Sequence, residues 1–475
     1  MTKPNIIFIV SDDHGYADQS HLGIRADVAT PALDRIAAEG VSFTNAYSTA
    51  PICSPSRAAI MTGLYQERWG SLWFDSAKFP DSDSIPTLAE VLKDAGYRTG
   101  YFGKVHYGPE DVGDRACPPH HGFEETLYGL AGHSMGRLHY MQRGADVAAE
   151  RGEEVAVAMA VQPLLEGDDP VEIEGFLTEI LGERSRKFIT ADDERPFFCM
   201  VAFNAVHNFC WQLPREELDK RGLPAYQDWS PETGVPYGEW YDDVVVPNLP
   251  HGREYYLAQL ELMDREIGAM LDQLDELGLA EDTLVLYITD NGGSTCNFGD
   301  NTPLRGTKYT LWEGGIRIPM LWRWPGTIPA GEERETPAST LDIMATFRSL
   351  SGSSEQAPMD GEDLLPVMLR SVMIERSLHW DCGFQFATRE GDWKLTWTDP
   401  DHPDVHHLRA YEHAPMGSGW HLSNLRSDIG ESSNEFANEP RVTQRLLRSH
   451  NAWADEVGLD LERSIAPVPD AHRTT

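Results

Sequence analysis

A loop at residues 51–63 places a small nucleophile and a fixed positive charge close together. Prolines punctuate this loop, Ser54 and Ser56 can cap a helix, and the residues after Arg57 have helical preferences. The free N–H groups of a helix N-terminus attract anions, and a guanidinium suits sulfate, phosphate or carboxylate. From spacing alone, Cys53 is either the nucleophile of an anion-cleaving site or a buried structural cysteine, and the second interpretation is slightly favoured.

Charged and polar residues follow several apolar runs along the chain. The runs at residues 5–10, 196–203 and 283–289 are typical of strands buried on both faces of a sheet. Residues 98–102 predict a further short strand. The residues that follow these strands are Asp12, Asp13, Lys104, His106, His207, Asp290 and Asn291. Ligands of open α/β sheets bind beyond the carboxyl ends of the strands, so we expect these side chains to converge.

Each of these residues also has an ordinary structural explanation. Asp12 and Asp13 could form a solvated acidic turn, although adjacent carboxylates repel each other unless a cation lies between them. A lone histidine such as His207 is more often a structural residue than a catalytic one. Lys104 and His106 point to the same side of an extended segment, and burying both without partners is costly. The ordinary explanations would all have to hold together, which we consider improbable.

The whole set matches one kind of reaction, attack on a tetrahedral anionic group. Four hard oxygen ligands suit Ca²⁺ or Mg²⁺ better than Zn²⁺, which prefers nitrogen or sulfur donors. A divalent cation, together with arginine and lysine, offsets negative charge on the non-bridging oxygens. A histidine and a lysine near the leaving oxygen can supply its proton, and the chain has a further lysine, Lys308, on a neighbouring loop.

Residues 53–63 read C-S-P-S-R-A-A-I-M-T-G, and this segment resembles the signature of the type I sulfatases. These are the formylglycine-dependent, arylsulfatase-like members of the alkaline phosphatase superfamily. In that family a formylglycine-generating enzyme converts the cysteine to formylglycine, an aldehyde whose hydrate attacks sulfur. The other motif positions of the family occur here in the same order up to about residue 325, whereas the C-terminal part matches loosely.

The resemblance implies a role for each matching residue. The implied ligands of Ca²⁺, with Mg²⁺ as an alternative ion, are Asp12, Asp13, Asp290, Asn291 and the modified Cys53. Arg57 matches the residue that holds the formylglycine hydrate, and Lys104 matches a contact to a sulfate oxygen. His106 matches the histidine that assists the hydrate and later breaks the sulfated hemiacetal. His207 and Lys308 match the pair that faces the ester oxygen of the leaving alcohol.

One position departs from the family pattern. The family often has a polar residue, commonly serine, that contacts sulfate soon after the Gly-Lys-x-His segment. Ser134 is the nearest candidate in this chain. Together with Lys104, His207 and Lys308, it completes the set of residues implied to bind the substrate.

The predicted fold is an α/β sandwich of the alkaline phosphatase type, with a large mixed, mainly parallel sheet and a smaller C-terminal α+β subdomain. Apolar strands that alternate with helices predict the parallel core, and the superfamily is what the resemblance implies. We expect a catalytic domain at residues 1–355 and a subdomain with a small antiparallel sheet at residues 356–475. A hairpin is predicted at residues 384–396, and residues 420–435 resemble the family's exit segment L-x-N-L-x-x-D-x-x-E.

Amphipathic patterns predict helices at residues 30–37, 87–95 and 254–277. We expect a threonine cap and an early proline at the start of the first of these helices. Residues 208–253 form a long loop rich in tryptophan, tyrosine and proline, and loops of this length usually have a function. An outer packing insertion and a substrate-facing wall, whose rings stack on sugars, are about equally expected there.

The net charge, 39 − 76 = −37, argues against nucleic acid or an anionic membrane as a partner. Six cysteines without a C-x-x-C pair predict reduced and mostly buried thiols. No apolar run reaches the roughly 18 residues of a membrane helix, and the N-terminus shows no signal-peptide pattern. We therefore expect a cytoplasmic protein, or an exported one whose signal peptide is absent from this numbering.

The sequence thus predicts a sulfuric ester hydrolase that releases inorganic sulfate from a sulfated small molecule or saccharide, with a carbohydrate favoured. One alternative is a phosphonate monoester or phosphodiester hydrolase of the same superfamily, which uses the same C-x-P-S-R nucleophile. Another is a non-catalytic carbohydrate- or metal-binding relative in which Cys53 remains a thiol.

Overall fold

A mixed sheet runs through the middle of the protein. In the computed structural model this sheet has ten strands. The model describes residues 3–81, 84–132, 137–142, 149, 152, 163–227, 229–246, 248–354, 357–412 and 416–459. The order of the ten strands across the sheet is Glu332–Arg334, Gly40–Phe43, Met320–Arg323, Thr283–Thr289, Asn5–Ser11, Phe197–Ala202, Arg98–Val105, Glu125–Leu130, Leu164–Glu166 and Asp169–Val171. The five strands from Thr283–Thr289 to Glu125–Leu130 are parallel, and antiparallel pairs lie on either side of them. The prediction of a large, mainly parallel sheet is confirmed.

The central strand Asn5–Ser11 divides the core into two layers. Ile7 and Ile9 pack into one apolar cluster, whereas Phe8 and Val10 pack into the other. Successive side chains of a strand point to opposite faces of the sheet, so an unbroken apolar run supplies both layers. This is why the run reads as continuous in the sequence.

Helices cover both faces of the sheet. The helices on the face of Ile7 are Pro31–Ala38, Leu177–Ile189 and Gly252–Glu276. Those on the opposite face are Cys53–Thr62, Leu88–Asp94 and Asp342–Ser351. The three helices predicted from amphipathic patterns are all present, and their ends agree with the predictions to within two residues.

Shorter elements connect and flank these layers. The further α-helices of the described residues are Arg215–Arg221, Tyr237–Glu239, Glu313–Ile316, Leu365–Arg370, Pro403–Glu412 and Pro440–Val457. A π-helix spans Trp240–Val245, and the 3-10 helices are Ser20–Leu22, Gln66–Trp69, Pro118–His121, Pro231–Thr233, Ala280–Asp282 and Thr295–Asn297. Two small sheets pair Ala46–Tyr47 with Ala338–Ser339 and Met141–Gln142 with Gly175–Phe176.

A separate antiparallel sheet lies in the C-terminal part of the chain. Its strands, in spatial order, are Ser377–Asp381, Gln385–Glu390, Trp393–Thr398 and Gly419–Asn424. Helix Pro440–Val457 packs on it through Leu446 and Leu447, which meet Phe386 and Leu395. The small antiparallel sheet and its hairpin are confirmed, while the division of the chain at residue 355 stays a prediction.

The aromatic segment at residues 208–253 is mostly packed inside the protein. Five of its rings are buried in the same apolar cluster: Trp211, Trp229, Tyr237, Trp240 and Tyr241. A ring that is enclosed by the core has no free face for a sugar. The interpretation of this segment as a stacking wall is therefore wrong for these five residues, and the packing interpretation holds.

Two further expectations from composition can be compared with the structure. All six cysteines are free and buried, as predicted. None of the helices in the described part of the chain combines the length and the apolar character that crossing a bilayer requires.

Asp264 caps the N-terminus of helix Pro31–Ala38 from a different helix. Its carboxylate accepts hydrogen bonds from the N–H groups of Ala32 at 2.8 Å and Leu33 at 3.0 Å. Thr30 was expected to act as the cap, but its hydroxyl instead accepts the N–H of Ser20 at 2.9 Å. Orphan N–H groups at a helix start need such partners, and here a distant acid supplies them.

We expect Asp264→Ala to lower the free energy of unfolding by roughly 2 kcal/mol, because two buried N–H groups lose their acceptor. Urea denaturation measures the change. Asp272→Ala is the matched control, since Asp272 lies on the same helix but its side chain is 71% exposed and pairs with Arg35 at the surface. The control should change stability by less than about 1 kcal/mol. Equal losses in the two variants would contradict a capping role.

Candidate active site at the carboxyl edge of the sheet

The predicted site residues meet at the carboxyl edge of the central strands. Ten of them lie there and are buried: Asp12, Asp13, Cys53, Arg57, Lys104, His106, His207, Asp290, Asn291 and Lys308. Asp12 directly follows strand Asn5–Ser11, and Asp290 directly follows strand Thr283–Thr289. The two strands are parallel neighbours, so their carboxyl ends deliver both acids to the same place.

Cys53 is the first residue of helix Cys53–Thr62. Its Sγ lies 3.4 Å from Asp12 Oδ1, and Lys308 Nζ donates to the same sulfur at 3.1 Å. Burial raises the pKa of the Cys53 thiol well above its usual value, and Asp12 and Asp290 raise it further. The unmodified side chain is therefore a protonated thiol at the centre of the site.

Arg57, one turn along the same helix, joins two strand ends. Its Nε donates to Asp290 Oδ2 at 2.7 Å, and its Nη2 donates to Asp12 Oδ2 at 3.1 Å. Burial alone would raise the pKa of Asp12, but Lys104, Arg57 and Lys308 hold it below the usual value. Asp12 is therefore ionised and belongs to a buried network of charges.

Lys104 and His106 approach the site from strand Arg98–Val105 and the residue beyond it. Lys104 Nζ is hydrogen-bonded to Asp12 Oδ2. The pKa of His106 lies well below its usual value, first because of burial and then because Lys104 and Arg57 are cationic. His106 is therefore a neutral imidazole and can accept a proton.

Asp13 faces the two residues predicted to serve the leaving group. Lys308 Nζ is 2.8 Å from Asp13 Oδ1, and His207 Nε2 is 3.6 Å from Asp13 Oδ2. The φ angle of Asp13 is 57°, a left-handed conformation that aspartate tolerates better than most residues. Burial, with Asp12 and Asp290 nearby and Lys308 opposing, raises the pKa of Asp13 to about 6.

The acidic centre has the composition of a site for a hard cation. Asp12, Asp13, Cys53 and His207 offer ligand atoms that lie within 4.8 Å of one another. Asn291 donates its amide N–H to Asp13 at 2.7 Å, while its own Oδ1 is buried with no hydrogen-bond partner among the described residues. A buried orphan oxygen beside carboxylates suits Ca²⁺ or Mg²⁺. The residues present therefore fit the predicted metal site.

Two asparagines belong to the site although the sequence did not single them out. Asn297 Nδ2 donates to Asp13 Oδ2 at 3.1 Å and to Asn208 Oδ1 at 3.2 Å. Asn208 directly follows His207, and that adjacency was an available signal, whereas the sequence gives no comparable signal for Asn297. Ser134 lies outside the described residues, so its contact with sulfate stays a prediction.

Comparisons with known proteins agree with this arrangement. The family model described as Sulfatase matches residues 4–353. The chain belongs to the sulfatase family. It is 31% identical to arylsulfatase A of Bos taurus over 94% of this chain and 86% of that protein. It is 31% identical to N-acetylgalactosamine-6-sulfatase of Canis lupus familiaris over 83% of this chain and 72% of that protein.

A solved structure supports the same assignment. The crystal structure of Ps i-CgsB in complex with k-i-k-neocarrahexaose matches with a TM-score of 0.77 at 25% identity, over 95% of this chain and 93% of that chain. The predicted α/β fold of the alkaline phosphatase type is therefore confirmed. The protein is an enzyme of the sulfatase class, as the sequence predicted.

In this sulfatase a buried charge cluster fixes the loop that carries Lys308. We call it the Lys394 cluster, and it consists of Glu313, Lys394 and Glu431, all fully buried. Lys394 Nζ lies 2.9 Å from Glu313 Oε1 and 3.1 Å from Glu431 Oε1. Glu431 Oε2 also accepts the N–H of Glu313 at 2.6 Å. The C-terminal part of the chain thus holds Glu313 through one ion pair, with Lys394, and one hydrogen bond from its backbone N–H to Glu431.

The short helix that begins at Glu313 is hydrogen-bonded to the loop that follows Asn291. The carbonyl of Gly315 accepts the N–H of Gly292 at 2.9 Å, next to Asn291. A Cβ on Gly292 would lie 1.9 Å from the carbonyl oxygen of Gly314, so this contact requires glycine. The N–H of Lys308 donates to the carbonyl of Gly293, the residue after Gly292, at 3.1 Å. One small segment therefore positions both the asparagine and the lysine.

The Lys394 cluster also accounts for the exit segment found in the sequence. Residues 422–431 of this sulfatase match L-x-N-L-x-x-D-x-x-E, and the final glutamate of that pattern is Glu431. Its carboxylate reaches back 118 positions along the chain to the backbone of Glu313. The segment is thus a support for the catalytic loop and not a surface feature.

Glu431 should make the stability of the sulfatase depend on pH. Burial raises its pKa to about 7, with Lys394 opposing and Glu313 adding to the shift. A carboxyl whose pKa is higher in the folded state stabilises the fold below its unfolded pKa, and this contribution is lost as the pH rises through about 7. We expect this group to lower the free energy of unfolding by up to about 3 kcal/mol between roughly pH 5 and pH 8.

Glu431→Gln should remove that part of the pH dependence, because glutamine does not titrate. Urea denaturation at a series of pH values measures it. Glu439→Gln is the matched control, since Glu439 is an exposed glutamate in the same C-terminal part of the chain. This variant should show the same dependence of stability on pH as the wild type. An unchanged pH dependence in Glu431→Gln would show that Glu431 does not titrate in this range.

Proposed function

We propose that this sulfatase hydrolyses the sulfuric esters of a carbohydrate by means of a formylglycine derived from Cys53, with Ca²⁺ bound by the acids around it. The observation that carries the proposal is the position of Cys53. It starts a C-x-P-S-R helix, and its sulfur lies 3.4 Å from Asp12 and 3.1 Å from Lys308. A nucleophile there has acids for a cation on one side and a proton donor on the other.

Asp12, Asp13, Asp290 and Asn291, with the modified Cys53, would hold the ion. The hydrated aldehyde supplies an oxygen nucleophile, and a divalent cation supplies positive charge opposite the oxygens of the sulfate group. Arg57 keeps Asp12 and Asp290 together, since it binds one oxygen of each. Its buried guanidinium also adds positive charge to the side of the site where an anion must bind.

The remaining residues bind the sulfate group and move protons. Lys104 carries a buried ammonium group at the site and can bind a sulfate oxygen. His207 and Lys308 lie together beside Asp13, and either can hold a proton for the ester oxygen of the leaving alcohol. His106 can accept a proton from the nucleophilic group during the release of sulfate.

The proposed substrate class rests on the relatives. The matching structure of Ps i-CgsB holds an oligosaccharide, and one of the relatives is named for an amino sugar sulfate. These proteins match this chain over most of its length. These two support a sulfated saccharide, whereas arylsulfatase A, at equal identity, is named for aryl esters, so the assays below include both kinds of ester.

Cys53→Ala should abolish the release of inorganic sulfate, because alanine cannot be converted to the aldehyde. Wild type and variant are each co-expressed with a formylglycine-generating enzyme and assayed on a panel of sulfated saccharides. Intact-protein mass should show that wild-type Cys53 has lost sulfur and two hydrogens and gained one oxygen. Cys199→Ala, at a buried cysteine within strand Phe197–Ala202, is the matched control and should keep its activity.

The alternatives give different results in the same assays. An unaffected rate in Cys53→Ala would overturn the proposed nucleophile. A higher rate on a nitrophenyl phosphonate than on the paired nitrophenyl sulfate would identify a phosphonate ester hydrolase. An unshifted mass at Cys53, together with no hydrolysis of any ester, would identify a binding protein.

Removal of metal by a chelator should stop sulfate release, and added Ca²⁺ should restore it. Asp13→Asn should lower the amount of Ca²⁺ bound per chain, since Asp13 loses a charged oxygen at the centre of the cluster. Metal analysis after dialysis measures this amount without relying on activity. Asp272→Asn, at an exposed acid, should bind as much Ca²⁺ as the wild type. Full binding by Asp13→Asn would contradict the assigned ligand.

A further inference from the structure

Three aromatic side chains meet beside the lysine of the active site. The ring centroids of Phe74 and Tyr309 are 5.7 Å apart, and Trp73 lies 5.2 Å from Phe74 and 6.2 Å from Tyr309. Trp73 is buried, Tyr309 is half-buried and Phe74 is 43% exposed. Phe74 is the most exposed aromatic residue among those whose side chains the structure describes. We call Phe74 and Tyr309, with Trp73 behind them, the aromatic platform.

The platform lies close to the reacting atoms. Lys308 Nζ is 5.4 Å from the ring centroid of Tyr309 and 3.1 Å from Cys53 Sγ. The same lysine is one of the two residues assigned to the leaving oxygen. The ring of Tyr309 therefore lies beside the residue that is assigned to the leaving oxygen.

The backbone holds Tyr309 in a conformation that a large residue rarely adopts. Its φ angle is 74°, in the left-handed region where glycine is free of strain and a bulky side chain is not. Two hydrogen bonds fix the residue there: its N–H bonds to Pro51 O at 2.8 Å, and its carbonyl accepts the amide of Gln385 at 2.7 Å. The backbone and the packing on Trp73 therefore hold the ring of Tyr309 at this place.

We propose that the aromatic platform is the binding subsite for the sugar ring of the leaving alcohol. The assignment rests on the proposed function. A pyranose has an apolar face of C–H groups, and such a face packs on aromatic rings while the hydroxyl groups at its edge stay in water. Five of the rings of residues 208–253 that sequence composition suggested for this role are buried, whereas the platform has an exposed ring near the site.

The aromatic platform should affect how tightly the substrate binds and not the rate of the chemical step. Neither ring carries a charge, so neither can offset the charge that develops on sulfate. Its contribution is therefore to the affinity for the ring, and it should appear in KM more than in kcat. A ring that lay against the platform would also orient the ester oxygen towards Lys308.

The test compares Phe74→Ala and Tyr309→Gly with wild type on a sulfated saccharide that the enzyme hydrolyses. We expect KM to rise by about tenfold in each variant, and kcat to change by less than about threefold. Tyr309→Gly suits the observed φ angle but loses the ring's packing on Trp73, so urea denaturation should accompany the kinetics and show that the variant is folded. Tyr309→Phe keeps the ring and should keep the wild-type KM.

Leu277→Ala is the matched control. Leu277 is an exposed apolar residue, 48% accessible, at the end of helix Gly252–Glu276 and near the amino edge of the sheet. Its variant should keep the wild-type KM. An unchanged KM in both Phe74→Ala and Tyr309→Gly would overturn the subsite, and so would a loss confined to kcat.

Two further outcomes have separate meanings. A rise in KM for nitrophenyl sulfate alone would show that the platform binds an aryl ring, which would overturn the assignment to a sugar. If the wild type released sulfate from no ester, the proposed function would fail before the subsite was tested. If the wild type hydrolysed the saccharide and both variants kept its KM, the proposed function would stand and the subsite alone would fail.

Discussion

The guanidinium of Arg57 is the contact on which the rest of the site depends. It binds Asp12 and Asp290, which come from neighbouring parallel strands and would otherwise repel each other inside the protein. A buried carboxylate without a partner costs several kcal/mol, so the pairing is a condition for folding as well as for chemistry. Because Arg57 lies one turn after Cys53, the same two bonds also fix the start of the helix against the strand ends.

Charge balance links cation binding to anion binding in this site. Lys104 bonds to Asp12 and Lys308 bonds to Asp13, and both acids are assigned ligands of the metal. A divalent cation that bound those carboxylates would weaken their hold on the two ammonium groups. The lysines would then be available to a sulfate ester, which the strongly negative protein otherwise repels. Lys104 and Lys308 are thus the groups that would exchange a carboxylate partner for the sulfate group.

Much of the site was predictable because strand ends follow simple rules. Apolar runs identify strands buried on both faces, and parallel strands bring the residues after them to one edge. Asp12, Asp290 and His207 could therefore be placed together from the sequence. The roles of Cys53 and Arg57 could not be read from spacing, and they came from the resemblance of one short segment.

The contacts that were not predictable join residues far apart in the chain. Asp264 caps a helix through the N–H of Ala32, 232 positions earlier, and nothing in the pattern around Thr30 indicates that its hydroxyl is already bonded. Composition identified the aromatic residues at 208–253 but not the direction in which they point. Likewise, a tyrosine after Lys308 carries no sign that its backbone is left-handed.

The Lys394 cluster has a consequence for how the protein is made and how it can evolve. Part of the charge that balances Glu313 comes from Lys394, 81 positions later in the C-terminal sheet, and part comes from Arg317, which lies four residues away. During synthesis Glu313 and the loop before it are made before Lys394, because the N-terminal part of the chain emerges first. The ion pair can therefore form only after the C-terminal sheet has been made. A C-terminal sheet without this lysine would remove one buried ion-pair partner of Glu313, so we expect such an exchange to lower the stability of the fold. We therefore expect substitutions on the outer faces of that sheet to cost less stability than substitutions where it meets the core.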